Sequence, residues 1–255
     1  MEYRSFAISG AGLVRDENQD NLFVNGVYRD SLTDNSVFRY GDNSFGRGVY
    51  AVADGMGGES YGALAALMAV EAMDDVFLLD NSVDFSGYLI KRNAAICSYI
   101  RKNNGIRIGS TFVGVSFSGS TAVFANIGDS RCYLLHEGIF EQLSKDHTVV
   151  HQIAEHGITN KEIAYPRPDR TKLTQHLGIF PDEMLIEPYI RKVEVLAGDV
   201  FLLCSDGLTD FLDDGEILGV LETHGTIGEK SEALFDKAMK RGGMDNFTVI
   251  LIAVC

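Results

Sequence analysis

The order of patterned segments predicts an α+β protein in which antiparallel sheets carry helices on their outer faces. Three observations lead there. Strands and helices do not alternate regularly, as a parallel sheet would require. Apolar runs face each other across short polar turns, as at Ser118-Gly119-Ser120 and Glu137-Gly138. Long helical periodicity falls in two blocks, 60–103 and 208–241.

Taken in order, residues 3–9 and 21–28 read as strands, and 29–46 as a polar, turn-rich surface loop or hairpin. A strand follows at 48–53. Residues 60–79 place Leu64, Leu67, Met68, Met73 and Val76-Phe77 at helical spacing, with the Leu64/Leu67/Met68 stripe facing the core. A second helix is expected over 84–103, with Leu89, Ile90, Ile96, Tyr99 and Ile100 inward and a stop at Asn103-Asn104-Gly105. Residues 110–117 with 121–127, and 131–135 with 139–142, form hairpins. The polar stretch 145–165 shows helical patches, and all four prolines fall between 166 and 188, which marks a surface element. Strands at 190–196 and 199–204 join at Ala197-Gly198. Helices over 208–223 and 228–241 follow, the latter capped by Gly242-Gly243, and Phe247–Val254 closes the chain as a strand.

At 255 residues the chain can bury a large core without disulfides. A net charge of −14 opposes nucleic acid and anionic membranes as partners, because phosphate attraction becomes average repulsion. Cys97, Cys132, Cys204 and Cys255 are widely spaced without a CxxC pair, which suits a reducing cytoplasm. The start, Met1-Glu2-Tyr3-Arg4, lacks the basic and apolar regions of a signal peptide. The apolar stretch Ala63–Val70 is too short to span a bilayer.

Four aspartates stand where an apolar run meets a glycine turn: Asp54, Asp129, Asp206 and Asp245. Singly, each reads as a turn residue. Jointly, they are an all-oxygen ligand set with no clustered His or Cys, which favours Mg or Mn over Zn and suits phosphate chemistry. Arg15, in Gly12-Leu13-Val14-Arg15-Asp16-Glu17-Asn18-Gln19-Asp20, has the fork geometry for two phosphate oxygens; on local sequence alone, however, it reads as a surface arginine paired with Asp16 or Glu17.

Ordered motifs add a resemblance. Gly12-Leu13-Val14-Arg15 with Asn18-Gln19-Asp20, Ala53-Asp54-Gly55-Met56-Gly57-Gly58, Gly109-Ser110-Thr111, Asn126-Ile127-Gly128-Asp129-Ser130-Arg131, Leu143-Ser144-Lys145-Asp146-His147-Thr148, Leu173-Thr174 with Leu177-Gly178, Leu202-Leu203-Cys204-Ser205-Asp206-Gly207-Leu208 and Gly242-Gly243-Met244-Asp245-Asn246-Phe247-Thr248 resemble, in sequence order, the motifs of the PPM family. These are the metal-dependent (type 2C) Ser/Thr protein phosphatases, and the compact length resembles the bacterial single-domain members. The resemblance spans Arg15 to the end of the chain.

The resemblance implies a single 1–255 domain, a β-sandwich of two antiparallel sheets flanked by helices on both outer faces, with a flap over about 149–172. It implies two Mn2+ or Mg2+ ions. Asp54 would bridge them, with the Gly55 carbonyl on one ion, and Asp206 and Asp245 on the other. Asp20 would support the cluster, and Asp129 would help hold a third, weaker ion. Arg15 would bind phosphate. The implied reaction is hydrolysis of phosphoserine and phosphothreonine in proteins by direct attack of a metal-bridging water or hydroxide. Expected partners are phosphorylated proteins and a cognate Ser/Thr kinase, with a monomer as the expected state. Two positions depart from the pattern: Glu59 stands where a histidine often follows, leaving Glu59 or water as proton donor, and Gln175 replaces a frequent arginine. His147 is expected to be structural. The alternative reading is an inactive, metal-binding relative that recognises phosphoproteins; an intact Asp20, Asp54, Asp206 and Asp245 set argues against it.

Overall fold

The structure is a computed structural model, described here for residues 1–57, 61–77, 82–155 and 172–255. Two antiparallel sheets pack face to face. The first runs β10 (Ile139–Gln142), β9 (Arg131–His136), β12 (Val200–Cys204), β13 (Phe247–Val254), β1 (Glu2–Gly10), β4 (Phe38–Phe45). The second runs β11 (Tyr189–Glu194), β8 (Thr121–Ile127), β7 (Phe112–Ser118), β5 (Arg47–Met56), β2 (Asp20–Val24), β3 (Val27–Tyr28), and short β6 (Gly109–Ser110) pairs with the end of β5.

Three apolar clusters define four layers. Tyr3, Leu22, Tyr50, Val113, Phe117, Phe201 and Ile250 fill the space between the sheets. On the outer face of the second sheet, α1 (Tyr61–Val70) and α2 (Phe85–Lys102) bury Ala65, Ala69, Leu89 and Ile96. On the outer face of the first, α4 (Asp206–Thr209), α5 (Asp214–Leu221) and α6 (Ile227–Lys240) bury Leu208, Ile217 and Leu234. The sandwich with helices on both outer faces is therefore as expected. Alternation explains the strands: β13 is buried almost throughout because it is central and covered on both faces, whereas the edge strand β4 alternates half-buried with exposed positions.

Several expectations need correction. Residues 21–28 are not one strand: Asn25 and Gly26 both take positive φ, 47° and 96°, and form the tight Asn-Gly turn between β2 and β3. The polar segment 29–46 holds a full strand, β4, paired along β1. Asp54 does not end its strand, since β5 continues to Met56 and Gly55 pairs with Ser110. In α1 the buried face is alanine (Ala63, Ala65, Ala66, Ala69), while Leu64, Leu67 and Met68 are only half-buried. Small side chains let this helix lie close on β5. Ile90 is exposed, unlike its expected neighbours. The strands joined at Ala197-Gly198 go to different sheets, since β11 pairs with β8 and β12 with β9 and β13. The 208–223 helix is two, α4 and α5, because Asp213 caps a new start: its carboxylate accepts from Glu216 N at 2.8 Å, and Glu216 reaches back to Asp213 N. Such a box stabilises a helix start by about 1 kcal/mol. Of the expected flap, only α3 (Val149–Glu155) and Lys172 lie within the described residues; Glu59 and His156 lie outside them.

Candidate metal centre

The carboxylates meet at one end of the sandwich because strand pairing puts them there. Asp20 opens β2 and sits directly opposite Asp54 on β5. Asp206 starts α4 straight after β12, with Ser205 as its cap residue. Asp245 lies two residues before β13, and Asp129 follows β8 after Gly128. Gly207 is what allows Asp206 its place: a Cβ there would fall on the Asn246 carbonyl oxygen. Gly207→Ala is expected to destabilise the fold by about 3 kcal/mol, lowering Tm by roughly 6–12 °C. A thermal melt equal to that of the wild type would contradict this packing.

A polar frame fixes the backbone of the site. Thr111 Oγ1 accepts from Asp54 N at 2.9 Å, while Ser110 Oγ at 3.1 Å and Thr111 N at 2.9 Å donate to the Asp54 carbonyl. Ser205 Oγ donates to Asp20 Oδ2 at 2.7 Å. Asn18 Oδ1 accepts from Asp20 N at 3.1 Å. Asn246 accepts from Gln19 N at 2.8 Å and donates to the Ala11 and Glu17 carbonyls. His147 Nδ1 accepts from Gly128 N at 3.0 Å and so holds the Asp129 turn, the structural role expected of it. Gln175 is nearly buried and accepts from Glu187 N at 3.1 Å, which ties the 175 and 187 segments together.

Electrostatically the site is strained. Burial, then the charges of Asp206, Asp20 and Asp129, pushes Asp54 well above the usual carboxylate range. Burial, then Asp129 and Asp20, does the same to Asp206. Burial raises Asp20 to about 6, against the opposing hydrogen bond from Ser205. Burial and Asp146 raise Asp129 to about 6. Asp20 is fully buried and the other three are half-buried, and carboxylates crowded in this way are held as anions most readily with a cation among them.

The expected residues do not all converge. Arg15 and Asp54 line one cavity of about 850 Å³ with Gly55, Met56 and Asp245. But Asp245 faces Arg15 across a 2.9 Å ion pair and accepts from Asn246 N, and among the described residues no three acidic, histidine or cysteine side chains close on a single ligand point. Mutual repulsion of like charges accounts for the open arrangement. The donor chemistry nevertheless fits hard divalent ions: every candidate ligand is oxygen, and Asp20 Oδ1 is buried without a hydrogen-bond partner. Thr111, Ser205, Asn18 and Asn246 are the site residues that residue-by-residue reading gave no role.

The family described as Protein phosphatase 2C matches residues 29–241. A curated relative, "Serine/threonine phosphatase stp" of Listeria monocytogenes, is 33% identical over 94% of this chain and 92% of its own. The solved S. agalactiae serine/threonine phosphatase superposes with TM-score 0.81 at 26% identity, covering 99% of this chain and all of that one. The catalytic domain of serine threonine protein phosphatase PstP, solved in complex with two manganese ions, superposes with TM-score 0.75 at 29% identity over the full length of both chains.

Proposed function

Because the chain belongs to the protein phosphatase 2C family, we propose that its aspartate cavity hydrolyses phosphoserine and phosphothreonine esters of proteins with the help of divalent metal ions. The observation that carries this reading is that Arg15 lines the same cavity as Asp54 and Asp245, an anion binder beside half-buried acids. Asp54, the Gly55 carbonyl, Asp206 and Asp245 would hold two Mn2+ or Mg2+ ions, with Asp20 in support and Asp129 on a third, weaker one. When bound, such ions supply an activated water and positive charge for the transferred phosphoryl group.

The chain's own residues do the rest. The Arg15 guanidinium, already beside Asp245, offers paired N–H donors to two phosphate oxygens. Thr111 and Ser110 hold the Asp54 backbone, so that the carboxylate is presented from a rigid strand. Ser205 orients Asp20 through Oδ2 and leaves Oδ1 buried without a hydrogen-bond partner. No cysteine lies in the described lining of the cavity, so the phosphorus is attacked without a thiol intermediate.

We place this activity in one domain over 1–255, in the cytoplasm, opposite a Ser/Thr kinase. Buried free thiols at Cys97, Cys132 and Cys204 support a reducing compartment. No helix among the described residues is long and apolar enough to cross a membrane. The test is hydrolysis of p-nitrophenyl phosphate and a phosphothreonine peptide with Mn2+, Mg2+ or EDTA. Activity should appear with metal and fall at least about a hundredfold in EDTA. Activity that survives EDTA, or none in either metal, overturns the reading.

A further inference from the structure

A second cavity, of about 650 Å³, adjoins the first, and Met56 lines both. Its described lining combines apolar surface from Ile100, Ile106 and Phe180 with Arg101, Arg107 and His176; Glu183 is the acid in that described lining, and Asp182 stands beside Arg101. In a chain of net charge −14, a cavity with this local excess of cationic groups marks a place for an anion.

The two arginines are available. Arg107 is exposed and makes no hydrogen bond or ion pair among the described residues. Arg101 lies over the Phe180 ring, 4.8 Å from its centroid, and makes a long, solvent-exposed 3.9 Å ion pair with Asp182, which an incoming anion would compete with at little cost. Stacking uses the guanidinium face and leaves its in-plane N–H groups free to meet a ligand. The back wall is tied to the catalytic strand. Leu177 and Ser110 exchange backbone hydrogen bonds at 2.8 and 3.1 Å, and Ser110 Oγ donates to the Asp54 carbonyl. His176 Nδ1 donates to the Leu177 carbonyl at 2.9 Å, which seats the ring in this wall. A substrate chain passing from Asp54 over Met56 therefore enters a preformed pocket whose position relative to the reacting phosphate is fixed.

We propose that this cavity is a substrate subsite for a second anionic side chain, a carboxylate or a second phosphate carried by the same polypeptide segment as the scissile phosphoresidue. Arg107 is its principal contact and Arg101 its support. The proposal rests on the phosphatase reading for the identity of the first cavity's ligand. Phe180 and Ile106 cover the stem of the bound side chain, and the guanidinium groups take its charged end.

The probe is a labelled peptide with a central, non-hydrolysable phosphonate analogue of phosphothreonine, bound in the presence of Mn2+ and followed by fluorescence anisotropy. A glutamate or a phosphoserine is placed two to five residues away on either side, with glutamine as the neutral control. On one side only, the anion should tighten binding about threefold to tenfold over the glutamine control, phosphoserine more than glutamate, and the gain should shrink with added salt. Arg107→Ala should remove that gain, Arg107→Glu should reverse it, and Arg101→Ala should reduce it. Equal affinity for anionic and glutamine peptides at every spacing, or an unchanged gain in both Arg107 variants, overturns the subsite. Turnover of p-nitrophenyl phosphate by the unaltered chain tests the phosphatase reading separately, because that substrate is too small to reach Arg107 and the binding assay needs no turnover.

Discussion

Asp54→Asn is expected to lower kcat/KM for p-nitrophenyl phosphate by at least about a thousandfold, roughly 4 kcal/mol of transition-state stabilisation. Asp54 is the carboxylate that feels Asp206, Asp20, Asp129 and Asp245 together, so it sits at the electrical centre of the cluster. Asparagine keeps its shape but removes the charge around which divalent ions gather. The backbone frame from Thr111 and Ser110 does not depend on that charge, so the variant should remain folded with an unchanged circular dichroism spectrum. The readout is steady-state kinetics across an Mn2+ titration. Activity within tenfold of the wild type at saturating Mn2+ would remove Asp54 from the centre of the site.

Asp20→Asn is expected to act in opposite directions on stability and on activity. Asp20 is buried, lies opposite Asp54 and has its pKa raised from 3.8 to about 6. A folded-state pKa above the unfolded one means the folded chain holds more protons between those values. The contribution of Asp20 to the stability of the metal-free protein is therefore fully present below about pH 4 and is lost as pH rises through about 6. Asparagine escapes this loss and still accepts the hydrogen bond from Ser205. At pH 7.5 in EDTA the variant should be stabilised by roughly 1–3 kcal/mol, a Tm gain of about 3–8 °C. At pH 4 the gain should vanish. With Mn2+ the order should reverse, because the wild type gains more from the ion, and the variant's activity should be lower. Differential scanning calorimetry at the two pH values, with and without Mn2+, reads all of this. A variant that melts below the wild type in EDTA at pH 7.5 would show that Asp20 is held by stabilising contacts instead of being strained.

Such strain is the mark of a site built for a ligand. Like-charged residues directly opposite on paired strands destabilise a sheet, and the Asp20–Asp54 pair does so inside the fold. The surrounding structure tolerates it because β5 and β13 lie within their sheets and are buried along most of their length. Arg15 offsets part of the charge by pairing with Asp245, which joins the proposed phosphate binder to a proposed cation ligand.

The candidate residues were legible in the sequence, and their arrangement much less so. Asp54, Asp129, Asp206 and Asp245 announced themselves because a carboxylate beside an apolar run is conspicuous, and ordered motifs brought in Asp20 and Arg15. Thr111, Ser205 and Asn246 stood in the same motifs, but their roles are hydrogen bonds to residues far away along the chain, such as Ser205 to Asp20 and Asn246 to Gln19. Local spacing carries no information about such partners. The second cavity was equally hidden, since its walls come from the end of α2, the 105–109 segment and the 176–183 segment, which meet only in the folded chain.

By itself, the sequence determined the things that depend on local chemistry: the apolar runs that become strands, the Ser118-Gly119-Ser120 and Glu137-Gly138 turns, the α2 and α6 helices, and the oxygen-only character of the ligand set. Tertiary structure alone decided the rest. It made strands of the polar 38–45 segment because β1 offered an open edge, and it put alanines instead of leucines against β5 because close approach outweighed side-chain size. It sent β11 and β12 into different sheets, and it set Asp20 opposite Asp54. In each case the deciding contact joins residues distant in the chain, and its energy exists only once both are in place.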